Sequence, residues 1–148
     1  MNPRFFFDTS ALIKLYHEEV GTVVLDQLLQ EHEPVIVISD LSIIEMISAF
    51  ARKVRTQDMT EDTFERVVAS FEKDVLDFEV ISIDQEVKNH AVALLKKYGL
   101  KQGLRTLDAL QLASALSGGV TISLDKFIAA DKTLISVTEE ESLSGLLV

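Results

Sequence analysis

The chain has 148 residues, with 24 acidic against 14 basic side chains for a net charge of −10, and no cysteine. Its length suits one domain, residues 1–148, that builds its core unaided, and the missing cysteine excludes disulfides and thiolate-held metals. The first apolar run stops at Asp8, too short for a secretory leader, and no stretch nears the ~20 apolar residues of a membrane span, so cytoplasmic residence with no membrane contact is expected.

Arg4 to Phe7 reads as a buried strand ending at Asp8. Thr9 and Ser10 then offer helix caps ahead of Ala11-Leu12-Ile13-Lys14-Leu15-Tyr16. A helix is expected from about Gly21 to Gln30, and Pro34 breaks the chain after it. Val35 to Ile38 is a second buried strand, closed by Ser39 and Asp40. Leu41 to Arg55 and Thr60 to Asp77 have helical patterns and look like an αα-hairpin. The second carries an apolar stripe of Phe64, Val67, Val68, Phe71 and Leu76. Glu79 to Ile83 reads as a third strand, and Gln85 to Tyr98 as a helix whose C-cap signal is Gly99. After a loop ending at Gly103, Leu104 to Leu116 is helical, and Gly118 and Gly119 end it. Val120 to Leu124 and Phe127 to Ala130 are short extended runs. Glu139, Glu140 and Glu141 read as a solvated face, and Leu146 to Val148 as an edge strand. Apolar strands alternating with helices predict an α/β fold, with a mainly parallel sheet covered on both faces. Ligands of such sheets bind beyond the carboxyl ends of the strands, which directs attention to the residues just after each strand.

Several acids stand there or in apolar surroundings. Asp8 follows the first strand, as Asp40 and Asp84 follow others, and a turn or cap role is open for each. Glu45 lies in an otherwise uncharged helical stretch beside Ser48 and Ala49; pairing with Arg52 is the plain alternative to a functional role. Asp108 is the strongest anomaly, because Leu107 to Leu116 is apolar nearly all round and such a helix is normally buried. Its carboxylate needs a partner, either Arg105 one turn earlier or a metal ion. Asp131 follows the last apolar run, with Asp125 as a rival. If Asp8, Glu45, Asp108 and Asp131 converge, two like charges ~4 Å apart repel by roughly 4 kcal/mol at an effective dielectric of about 20. Such a cluster needs cations, and oxygen donors without Cys or paired His select Mg²⁺ or Mn²⁺ over Zn²⁺. His17, His32 and His90 are scattered and read as surface or local structural residues. The acidic balance argues against nucleic acid as a partner, unless bound cations reverse the field of the cleft.

Taken as a pattern, the sequence resembles the PIN-domain family and, within it, the VapC-like toxins. Phe7-Asp8-Thr9-Ser10-Ala11-Leu12-Ile13-Lys14-Leu15-Tyr16 is similar to the family's first acidic motif, and Ser39-Asp40-Leu41-Ser42-Ile43-Ile44-Glu45 to the second. Leu104-Arg105-Thr106-Leu107-Asp108-Ala109-Leu110-Gln111-Leu112-Ala113 resembles the third, with Gln111 where many relatives carry His. Phe127-Ile128-Ala129-Ala130-Asp131-Lys132-Thr133-Leu134 resembles the fourth. The resemblance implies a PIN-like three-layer α/β/α sandwich with the acids at the carboxyl edge of its sheet. It implies Mg²⁺- or Mn²⁺-dependent endonucleolytic cleavage of RNA, a homodimer and, for the toxin branch, a small cognate antitoxin. Asp8, Glu45, Asp108 and Asp131 would then be the catalytic metal ligands, with Ser10 in support and Lys14, Arg52 and Arg105 steering the RNA backbone. A processing nuclease without an antitoxin and a non-catalytic PIN-like binding module are the alternatives within the family. A phosphatase of the haloacid-dehalogenase type needs a second Asp two positions after the first, where this chain has Ser10.

Overall fold

The computed structural model describes residues 1–117 and 123–148. Strand β1 (Arg4–Phe7) is followed by the short helix α1 (Thr9–Leu12), a 3-10 turn (Ile13–Leu15) and α2 (Thr22–His32). Next come β2 (Val35–Ser39), α3 (Asp40–Arg55), α4 (Glu61–Val75) and β3 (Glu79–Ile81). The chain continues with α5 (Gln85–Gln102), α6 (Thr106–Ser117), β4 (Lys126–Ala129), α7 (Lys132–Glu140) and β5 (Gly145–Leu147). The five strands form one sheet in the order β3-β2-β1-β4-β5, with every neighbouring pair parallel.

The alternation of side chains along β1 explains the layers. Phe6 stacks on Phe127 with ring centroids 5.1 Å apart and joins the core under α5, α6 and α7, which includes Leu94, Leu112 and Leu134. Phe5 and Phe7 point to the other face, where Leu25, Met46, Phe50 and Phe71 of α2, α3 and α4 cover them. All four β1 residues are buried, as a central strand of a doubly covered sheet requires. Each such phenylalanine contributes roughly 1.5–3 kcal/mol by leaving water. The predicted α/β/α sandwich is therefore the observed fold.

From β1 the chain winds outward through β2 and β3, and later returns to lay β4 and β5 on the other side. The direction of winding reverses between β1 and β4, and a crevice opens at the carboxyl ends of strands at such a point. Phe5 pairs with Lys126 and Phe7 with Ile128, so residues just after β1 and just after β4 lie side by side at that edge.

Some expectations need correction. Helix α5 runs through Gly99 and ends at Gly103, whose φ of +73° is the left-handed cap. The C-cap signal at Gly99 was misleading because a helix tolerates a glycine, while only Gly103 adopts the conformation that ends it. Leu76 is not in the apolar stripe of α4: it is the C-cap, beyond the last helical residue, and 84% exposed. Asp8, not Thr9 or Ser10, caps α1. Helix α7, unmarked in the sequence, occupies Lys132–Glu140; Glu139 and Glu140 are exposed, but Glu141 accepts hydrogen bonds from Lys97 Nζ at 2.9 Å and from the Tyr98 hydroxyl. The predicted helix end at Gly118 and Gly119, and the first three residues of the run Val120 to Leu124, lie outside the described residues; Ser123 and Leu124 are not in a strand.

Candidate metal centre

Asp8 leaves β1 and caps α1. Its Oδ1 accepts from Ala11 N at 3.0 Å and from Ser10 Oγ at 2.7 Å, and its own N–H donates to Ile128 O of β4 at 3.1 Å. The residue is 4% exposed. Burial pushes its carboxyl up to about 7, against the lowering effect of the Ser10 and Ala11 hydrogen bonds, and the charges of Asp108 and Glu45 push the same way as burial. The cap role open to Asp8 in the sequence is thus real, and it fixes the carboxyl at the sheet edge.

Glu45 stands on α3, whose cap Ser39 accepts from Leu41 N at 3.1 Å. Its Oε1 accepts from Thr9 Oγ1 at 2.7 Å and from Gln111 Nε2 at 3.0 Å. No ion pair joins Glu45 to Arg52 among the described residues, so the plain alternative for this acid is not the one the fold adopts. Asp108 lies in the first turn of α6, where a negative charge suits the helix dipole. Its carboxyl is raised above the usual range, by burial first and then by the charge of Asp131, with Arg105 opposing. Arg105 Nε is 3.9 Å from Asp108 Oδ2, and its side chain is 80% exposed, a contact of little strength.

Asp131 caps α7 by accepting from Leu134 N at 2.8 Å. It bears on the cluster through its charge at Asp108, and it does not line the cleft. The rival Asp125 precedes β4, and its Oδ2 accepts from Arg4 N at 2.9 Å, at the amino edge of the sheet. Asp40 accepts from Ile83 N at 3.2 Å and Asp84 caps α5, which accounts for the other acids that follow strands.

The cleft between these elements has a volume of about 680 Å³ and is lined by Asp8, Ser10, Glu45, Arg52, Arg105, Asp108 and Gln111 among others. Ser10 donates to Asp8 and accepts from Ala130 N at 3.0 Å, so it bridges the first acid to the end of β4. Lys14 does not line the cleft. It is 8% exposed, donates to the Val20 carbonyl and lies 3.7 Å from Glu19, which takes its ammonium out of reach of a polymer in solution. The expected steering role for Lys14 is corrected on that ground, while Arg52 and Arg105 remain at the cleft.

Three polar residues carry more of the site than the sequence indicated. Thr9, Ser42 and Gln111 form a hydrogen-bonded ring around Glu45. The available signals were a glutamine in the apolar run of α6, one turn after Asp108, and a serine one turn before Glu45.

The donor set suits a hard divalent cation. It is all oxygen, it holds more negative charge than Arg105 balances, and it includes a buried carboxyl with no cationic partner among the hydrogen bonds described above. Among the described residues no three His, Asp or Glu side chains close around one point, so no all-protein cage is preformed. An ion held by one or two carboxylates, with water completing its shell, is the arrangement Mg²⁺ favours.

The family model for the PIN domain matches residues 5–139. Among solved structures, the chain is similar to a toxin–antitoxin complex from Klebsiella pneumoniae, at 21% identity and a TM-score of 0.63, covering 88% of this chain and 89% of that one. It is similar to VapBC2 from Rickettsia felis bound to a promoter DNA fragment, at 11% identity and a TM-score of 0.67, covering 98% of both chains. It is also similar to VapC20 of Mycobacterium tuberculosis, a toxin that cleaves the sarcin-ricin loop, at 16% identity and a TM-score of 0.68, covering 89% of this chain and 93% of that one. At these identities the likeness speaks to the fold. A comparison with curated proteins gives no match.

Proposed function

Because the chain belongs to the PIN domain family, we propose that it is an Mg²⁺- or Mn²⁺-dependent endoribonuclease, acting as the toxin of a VapBC-type pair. The observation that carries the reading is the buried Asp8 carboxyl, fixed at the carboxyl edge of the sheet in a cleft that Glu45 and Asp108 also line, where burial and the charges of those two acids raise it above its usual range. A structural acid so placed is a burden to the fold; a cation binding there relieves it.

Asp8 and Asp108 are the residues that would hold the ion, with Glu45 and Asp131 acting directly or through water. When bound, such an ion acidifies water and neutralises charge on the scissile phosphate. The rest falls to the chain. Ser10 fixes the rotamer of Asp8 through its 2.7 Å hydrogen bond. Burial of Asp8 keeps bulk water from screening its charge. Arg52 and Arg105, on the lining of the cleft, meet the backbone phosphates of RNA. The net charge of −10 makes affinity for RNA elsewhere on the surface weak, so these local cations and the metal carry the binding.

The toxin assignment is supported by the likeness in fold to chains recorded in toxin–antitoxin complexes. A cognate antitoxin would place a basic side chain in the acidic cleft, by charge complementarity. Homodimerisation and cytoplasmic residence belong to the same reading. No helix among the described residues is long and apolar enough to cross a membrane.

The test is incubation of the purified chain with total cellular RNA in Mn²⁺, Mg²⁺ or a chelator, with mapping of product ends. Discrete ends that need the metal, and that vanish in Asp8→Asn and Asp108→Asn, are expected. Metal-independent cleavage, or an Asp108→Asn protein as active as the wild type, overturns the reading.

A further inference from the structure

The side chain of Gln111 sits where α1, α3 and α6 meet. It is 2% exposed and one turn beyond Asp108 on the same helix. Its Nε2 has Ser42 Oγ and Glu45 Oε1 at 3.0 Å and Thr9 Oγ1 at 3.2 Å. A carboxamide has two N–H donors, and the shorter contacts, to Ser42 and Glu45, use both. Thr9 donates its proton to Glu45 Oε1 at 2.7 Å, so Ser42 is the donor in its 2.9 Å contact with Thr9 Oγ1. Every proton of the ring therefore leads, directly or through a hydroxyl, to one carboxylate oxygen.

The amide cannot be turned over. Exchanging its nitrogen and oxygen would set two acceptors, Gln111 Oε1 and Glu45 Oε1, against each other. In the orientation that remains, Gln111 Oε1 is buried and has no partner among the described residues. A residue needed only to fill this apolar helix would be served by leucine. What leucine lacks is the pair of donors.

We infer that Gln111 is the positioning residue for Glu45, its amide fixing the carboxylate beside the cleft together with the hydroxyls of Thr9 and Ser42. Because Asp108 and Gln111 share one face of α6, the contact also ties the helix of one acid to the side chain of another. The inference rests on reading the cleft as a metal-dependent RNA-cleaving site.

The experiment is a double-mutant cycle. Gln111→Met keeps length and removes both donors; it is combined with Glu45→Gln, and Mn²⁺ affinity by calorimetry and RNA cleavage are measured for all four proteins. Gln111→Met is expected to weaken Mn²⁺ binding and lower kcat by about tenfold or more, with KM changed by less than about twofold. In the Glu45→Gln background the same substitution is expected to add almost nothing. Gln111→His, which keeps an N–H donor, recovers most of the loss. Equal losses with and without Glu45, or no loss, overturn the assignment. Circular dichroism checks folding, and if Gln111→Met fails to fold, Thr9→Val runs through the same cycle with the same criterion. A wild-type chain that neither binds Mn²⁺ nor cleaves RNA overturns both readings; one that does both, with an additive cycle, overturns only the role of Gln111.

Discussion

Ser10 holds Asp8 from within two residues, donating to its Oδ1 at 2.7 Å, and at the same time accepts from Ala130 N at 3.0 Å. One hydroxyl thus serves an acid and a strand end that are distant in sequence. Ser10→Ala removes the donor and leaves the Ala130 N–H without its acceptor. A loss of about 1–3 kcal/mol in urea unfolding is expected, from the cost of an unpaired buried polar group. Because the Ser10 hydrogen bond lowers the Asp8 carboxyl, its titration followed by carbon-detected NMR should move further up in the same variant. A fall in that titration would contradict the role given to Ser10.

The Asp8 carboxyl gives a pH dependence whose sign is fixed. Its value rises from 3.8 to about 7 on folding, so the folded chain binds the proton more tightly than the unfolded one. That contribution is fully present below about 4, and it is lost as pH rises towards about 7. At about 1.4 kcal/mol per unit the loss is on the order of 4 kcal/mol in metal-free buffer. Asp8→Asn, which keeps an acceptor for Ser10 and Ala11, should be more stable than the wild type above pH 7 and lose the advantage by pH 4. Thermal melts across that range, with chelator present, check the crossing; parallel curves would refute it.

Two cationic residues should respond in opposite ways. Arg52 lines the cleft, and Arg52→Gln should weaken RNA binding and reduce the slope of log K against log salt by about 0.7, the value for one phosphate contact on a single strand. Lys14 is buried against the Val20 carbonyl and Glu19. Lys14→Met should cost about 1–3 kcal/mol of stability and leave the salt slope where it was. Filter binding at several salt concentrations separates the two; a changed slope in Lys14→Met would return that lysine to the RNA surface.

The two glycines near the end of α5 make a pair of opposite sign. Gly99 is helical, and a Cβ there would meet nothing nearer than Leu104 O at 3.8 Å. Gly99→Ala should stabilise by about 0.8–1 kcal/mol, the difference in helix propensity. Gly103 has φ +73° and open space around it, so Gly103→Ala should destabilise by about 1 kcal/mol through backbone strain alone. Denaturant midpoints decide, and a stabilised Gly103→Ala protein would mean that the helix ends elsewhere.

That pair also shows where the sequence was legible and where it was not. A glycine announces the end of a helix, but choosing between Gly99 and Gly103 depends on Tyr98, whose carbonyl accepts from Gly103 N and, at 3.4 Å, from Leu104 N. Helix α7 went unmarked because Thr133, Ile135, Val137 and Thr138 are β-branched and disfavour helix locally; burial of Leu134, Ile135 and Val137 overrides them. Asp8, Glu45 and Asp108 could be singled out because each is a charge in an apolar setting, visible within a few residues. The ring around Glu45 could not, since a glutamine in the apolar run of α6 and a serine one turn before Glu45 show no link to each other or to Thr9 until three helices bring them within 3.2 Å of one another. Lys14 failed for the same reason in reverse, as its burial is set by the Val20 loop rather than by its neighbours in sequence.

The contact between Ser10 and Ala130 spans 120 residues. A ribosome adding about 5–20 residues per second needs roughly 6–24 seconds to cross that interval. For nearly all of it Asp8 has been synthesised but Ile128 of β4, which accepts from its N–H, has not. A nascent fragment that ends before β4 consequently lacks Ile128 and Ala130, the backbone groups that Asp8 and Ser10 bond across the sheet.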